Sequence, residues 1–141
     1  MSKRLWCGAH AAMALLVGGG VYLILREGTV MHDVLAFLSF SPSALSQKAF
    51  WGGDFCRYYL PDALWAYSLQ FALCGGMFPQ KCGTAVMVAV TTVCGAGFEM
   101  LQQYGILRGT ADIVDVLLYF CGGFLAAAVY VKFILGGGKR G

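Results

Sequence analysis

The chain has 141 residues, of which 59% are hydrophobic and 12% charged, with a mean hydropathy of +0.70 and a formal net charge of +3. Soluble domains carry about 25% charged residues, so a soluble globular fold is excluded, as is disorder, which needs low hydrophobicity. Twenty glycines without a three-residue period exclude a collagen-like fibre, and the small charge offers no nucleic-acid surface. Apolar stretches that run continuously, with no alternation, exclude a membrane barrel. The expected class is an all-α polytopic membrane protein, one domain over residues 1–141, whose first partner is the lipid bilayer.

A helix needs about 20 apolar residues to cross the ~30 Å hydrocarbon core. Four segments qualify, at about 5–25, 61–78, 83–101 and 113–135. The first follows Lys3 and Arg4 but is too long for a signal core. Arg26-Glu27 then follows without a small-x-small cleavage site, so the segment reads as a retained anchor.

An interfacial helical cap is expected between spans one and two, at about 28–58. Within it Val30, Met31, Val34, Leu35 and Leu38 share one helical face, in a piece too short to cross. Ser41-Pro42 opens a second short helix as N-cap and first position. Phe37, Phe40, Phe50, Trp51, Phe55, Tyr58 and Tyr59 suit the headgroup level. Four spans put both termini on one side with Lys3, Arg4, Lys81, Lys139 and Arg140, and Lys132 nearby. Arg26, Lys48, Arg57 and Arg108 lie opposite. That bias favours cytoplasmic termini and an outward-facing cap.

The six cysteines form no Cys-x-x-Cys pair, and His10 lies far from His32. No metal site and no cofactor are expected. The cysteines read as small hydrophobes; Cys74 and Cys82 flank one short turn, on the reducing side of this topology.

The seven acids carry the main functional signal. Glu27, Asp33 and Asp54 fall in the cap. Asp62 begins span two, Glu99 nears the end of span three, and Asp112 and Asp115 begin span four, so all four fall at one membrane face. Asp62 follows Pro61 in a first helical turn, where the dipole suits an anion. Asp112 reads as an N-cap, with Asp115 in the capping-box position. Glu99 has no such local reason, because the dipole disfavours an anion near a helix C-terminus. A membrane carboxylate needs a partner, and Gln102 and Gln103 lie on its flank. Tyr119 and Gly122 continue the Asp115 stripe at plus four and plus seven, where a glycine admits a close neighbouring helix. Gln70 reads as an interhelical hydrogen bond. The expected site is an acidic pocket lined by Asp62, Glu99, Gln102, Gln103, Arg108, Asp112, Asp115 and Tyr119. Its surplus negative charge suits a cationic group on a ligand, or carboxylates that stay partly protonated through burial and mutual repulsion.

Glu99-x-x-Gln102, Gly109-Thr110-x-Asp112-x-x-Asp115, Tyr119 and Gly122 together resemble the C-terminal signature of VanZ-like membrane proteins. The helix opening Leu60-Pro61-Asp62-Ala63-Leu64-Trp65 resembles that family's earlier Asp-led helix. The chain departs from the pattern at Tyr119, where the family has Asn. It departs again at Ala63 and Ala66, near the places of a Lys and a His. The resemblance implies a multi-pass protein of the bacterial plasma membrane, in a family linked to lowered susceptibility to teicoplanin-type glycopeptides.

The leading functional expectation is a non-enzymatic binding protein for an amphiphile, either a lipid-linked cell-wall precursor or a lipoglycopeptide antibiotic. An enzyme acting on a lipid head group is the alternative. Paired carboxylates can serve as acid and base, but nucleophile, metal and phosphate-cradling motifs are missing from the sequence. A transporter lacks polar groups across the inner half of the spans, apart from Ser68 and Gln70. The remaining expectation is a structural subunit whose acids only cap helices. Glycines in spans one and four are compatible with an oligomer.

Overall fold

A computed structural model describes residues 2–25, 37–38, 53–77, 83–107 and 110–136. Most of the expected cap, including Val30 to Leu35, Ser41-Pro42 and Trp51, lies outside these residues, as does Arg108. Every regular element among the described residues is helical.

Helix α1 spans Lys3–Leu25, its first turn closed by the Ser2 hydroxyl, which accepts the Leu5 N–H at 3.3 Å. The short α2, Gly53–Tyr58, falls within the expected cap. Helix α3, Leu60–Ala72, has Pro61 in its opening turn and runs on into a π-helical turn, Leu73–Met77. Helix α4 spans Thr84–Gln103. It ends because Gly105 takes φ of 68°, a left-handed value suited to glycine. There Gly105 N–H bonds Gln102 O and Ile106 N–H bonds Leu101 O, each at 2.9 Å, the paired closure of a Schellman motif. Helix α5, Ile113–Val129, also continues into a π-helical turn, Tyr130–Leu135.

Among the described residues, three helices are long and apolar enough to cross a membrane: Lys3–Leu25, Thr84–Gln103 and Ile113–Phe133. The segment expected as the second span forms the 13-residue α3 and the five-residue π turn after it, and is not among these three. Large apolar side chains face outward along the spans, among them Leu16, Val93, Leu117 and Phe124. In water such a surface would drive association; against lipid tails it is the expected exterior.

Helix α3 packs between α1 and α5, and α4 lies against α5 and also touches α3. Apart from Phe71, the buried residues of α3 (Pro61, Ala66, Ser68 and Gln70) are small or polar, and close approach occurs on both sides. A Cβ at Gly122 of α5 would collide with the Ala63 carbonyl of α3. A Cβ at Gly75 would lie 2.6 Å from Cys7 Cβ, and one at Gly18 would lie 3.2 Å from Leu64 Cβ. These contacts pair the beginning of α1 with the end of α3, so the two run antiparallel. The core centres on Cys7, Phe71 and Ala126, with Ala11, Tyr67, Val129 and Tyr130 packed around it.

Among the described residues, Ser68, Gln70 and Thr91, the buried uncharged polar side chains, are paired. Thr91 Oγ1 donates to Gln70 Oε1 at 2.9 Å, and both residues are fully buried. This is the interhelical hydrogen bond expected of Gln70. Ser68 Oγ donates to Ala11 O at 2.8 Å, and His10 Nδ1 meets the Tyr67 hydroxyl at 3.0 Å between the stacked rings of Trp6 and Phe71. With no water in the bilayer core, each unpaired polar group would cost several kcal/mol.

Candidate functional site

Four acids meet at one end of the bundle, where α3 and α5 begin and α4 ends. The local structure of α5 fixes the first. Asp112 is the N-cap, extended at φ −131° and ψ 130°, and its Oδ1 accepts the Val114 N–H at 2.9 Å. A capping box would return the Asp115 carboxylate to the Asp112 N–H. Here that N–H donates across to Glu99 Oε2 of α4, at 2.9 Å.

This bond resolves why Glu99 is tolerated near a helix C-terminus. Its carboxylate lies at the positive N-terminal end of α5, where an anion is stabilised by about 0.3–1 kcal/mol, and by up to ~2 kcal/mol when partly buried. Glu99 is 6% exposed. Its other oxygen, Oε1, accepts the Tyr119 hydroxyl at 3.4 Å, and the same hydroxyl lies 3.4 Å from Asp62 Oδ1. One buried phenol thus sits between carboxylates from α3 and α4. Asp115 is half-buried and close enough to act electrostatically on Tyr119 together with Asp62 and Glu99.

Tyr119 is held by packing as well as by these bonds. A Cβ at Gly95 would overlap its ring, so α4 is pressed directly onto the aromatic face. Trp65 meets Tyr119 edge-on with centroids 5.8 Å apart, and meets Phe98 edge-on at 5.3 Å. Gly122, three residues on, admits α3 and with it Asp62.

Asp62, Glu99, Asp112, Asp115 and Tyr119 of the expected set come together. Gln102 is half-buried and Gln103 exposed beyond the cluster, and Arg108 lies outside the described residues. Arg57 of α2 is half-buried, with a buried Nε that has no hydrogen-bond partner among the described residues. No group of three or more His, Cys, Asp or Glu among the described residues is arranged to hold a metal ion.

Beside the cluster, a groove of about 330 Å³ runs between α1 and α3. Ala14, Leu15, Gly18, Gly19 and Tyr22 form one wall and Pro61, Asp62 and Trp65 the other. Of the expected set, Asp62 faces this groove. Nothing in the sequence marks the other lining residues as functional. Their spacing, 15/18/19/22 on one helix and 61/62/65 on the other, marks single faces but does not reveal a gap between them.

No protein-family model, no curated protein and no solved structure matches this chain.

Proposed function

We propose that the chain is a VanZ-like protein of the bacterial plasma membrane that binds the polar head of a membrane amphiphile at its acidic end. In this reading Leu60–Met77 is a fourth span, the termini are cytoplasmic, and residues 28–58 cap the outer face. The ligand is a lipid-linked cell-wall precursor or a lipoglycopeptide of the teicoplanin type. The observation that carries the reading is the Tyr119 hydroxyl between Asp62 and Glu99. Concentrating carboxylates around one phenol, when the rest of the interior is neutral, costs more than helix capping requires. Glu99 and Tyr119 are the buried base of the site, and the half-buried Asp62 and Asp115 are the reachable groups.

Teicoplanin binding to the protein in lipid nanodiscs tests this reading. Substituting Asp62→Asn and Asp115→Asn together weakens binding at least tenfold while the protein still inserts; unchanged binding rejects it.

A second reading is favoured by the Glu99–Asp112 bond, which ties α4 to the start of α5 and accounts for Glu99 as an interhelical cap. A structural subunit of this kind loses stability on Glu99 substitution and binds no amphiphile.

A further inference from the structure

We infer that the groove between α1 and α3 holds the single alkyl chain of an amphiphile whose protonated amine meets Asp62. The inference rests on the proposed function and narrows its ligands to an amphiphile that carries an amine, over one whose head is an anionic phosphate.

Two adjacent glycines of α1 have different roles. Gly18 lets α1 close onto Leu64 and the Pro61 carbonyl, which fixes the helix pair. Gly19 lines the groove, and a Cβ there would meet nothing within 4 Å. The gap is therefore not a by-product of tight packing: at Gly19 a side chain would fit and is missing. The walls are apolar except at Asp62 and the Tyr22 phenol. At about 330 Å³ the groove has room for a single alkyl chain.

The head group follows from charge. Asp62 faces the groove and also accepts from Tyr119, which packs on Trp65 and bonds Glu99. An ionised carboxylate has about four acceptor sites, so Asp62 can take an ammonium donor in addition to its neighbours within the fold. Among the described residues, Asp54, Asp62, Glu99, Asp112 and Asp115 lie at this end, against Arg57. An anionic head is repelled there, a neutral one gains a hydrogen bond, and an ammonium gains a charge-assisted one.

Trp65 reports occupancy because it lines the groove. With the other two tryptophans replaced (Trp6→Phe and Trp51→Phe), its emission in nanodiscs is titrated with bromine-tipped dodecylamine, dodecanol and dodecanoate at neutral pH. The amine quenches saturably at a concentration at least tenfold lower than the alcohol, and the carboxylate quenches least. Asp62→Asn removes the preference for the amine. Gly19→Leu fills the groove and abolishes saturable quenching. Gly20→Leu, at a neighbouring position where a Cβ also meets nothing within 4 Å, leaves it intact. Equal quenching by all three probes means ordinary partition into lipid and overturns the inference. Quenching by none of them means the groove is already filled, by a second copy or by the chain itself, and also overturns it. Either result leaves teicoplanin affinity, read on Asp62 and Asp115 together, as an independent test of the acidic site.

Discussion

Glu99 of α4 accepts the backbone N–H of Asp112, the N-cap of α5, at 2.9 Å. A neighbouring helix thus takes the role that an acid three residues on takes in an ordinary capping box. The bond converts an anion badly placed for its own helix into one well placed for the next. It also sets the position from which the second carboxylate oxygen reaches Tyr119.

The first prediction follows from that geometry. Glu99→Gln keeps an acceptor for the Asp112 N–H and loses the charge, so it costs about 1 kcal/mol. Glu99→Ala leaves a partly buried N–H without a partner and costs about 1–3 kcal/mol more. Thermal unfolding in nanodiscs ranks the three proteins, wild type above Gln above Ala. Equal melting of all three would mean that the bond contributes nothing.

Small-residue contacts separate two classes of glycine. Gly95→Ala and Gly122→Ala drive a methyl into the Tyr119 ring and the Ala63 carbonyl. Overpacking of this kind costs about 1–3 kcal/mol, and either substitution displaces Tyr119 or Asp62. Gly97→Ala and Gly20→Ala meet nothing within 4 Å and gain up to ~1 kcal/mol of helix propensity. The same unfolding assay reads both signs.

How much of this arrangement the sequence discloses depends on the range of each interaction. The Asp112 cap is legible because its partner is Val114, two residues away, and Gly122 is legible because its spacing from Asp115 follows helical geometry. The reason for Glu99 is not legible: its partner is a backbone N–H thirteen residues on, across a turn. Gln102 and Gln103 are the natural local candidates, and they lie beyond the cluster. Gln70 reads as an interhelical donor or acceptor, but Thr91 as its partner depends on how α3 and α4 face each other. The groove is least legible, because it is a gap between two faces and each face by itself looks like ordinary packing.

The buried Thr91–Gln70 bond is testable by a double-mutant cycle. Thr91→Val alone strands the Gln70 carbonyl oxygen, and Gln70→Leu alone strands the Thr91 hydroxyl. The double variant costs less than the sum of the singles, with a coupling of about 0.6 kcal/mol and at most ~1.7 kcal/mol. Strict additivity would show that the bond is not formed in the membrane.

Topology is the next expected outcome. Four spans place Lys3 and Lys132 on the same side of the membrane, away from Asp54. Single cysteines introduced at these three positions in a cysteine-free background label accordingly with a membrane-impermeant maleimide on intact cells. Only the Asp54 position reacts before lysis. Labelling that separates Lys3 from Lys132 would mean an odd number of crossings.

The most direct test of the acidic site is teicoplanin affinity in nanodiscs for wild type, Tyr119→Phe and the pair Asp62→Asn with Asp115→Asn, each checked for folding by its melting temperature. The account predicts at least a tenfold loss for the asparagine pair and a smaller loss for the phenylalanine variant, with a cooperative melting transition, at a lower temperature in the phenylalanine variant, showing that both are folded. Wild-type affinity in both folded variants would contradict it and leave the acids as helix caps alone.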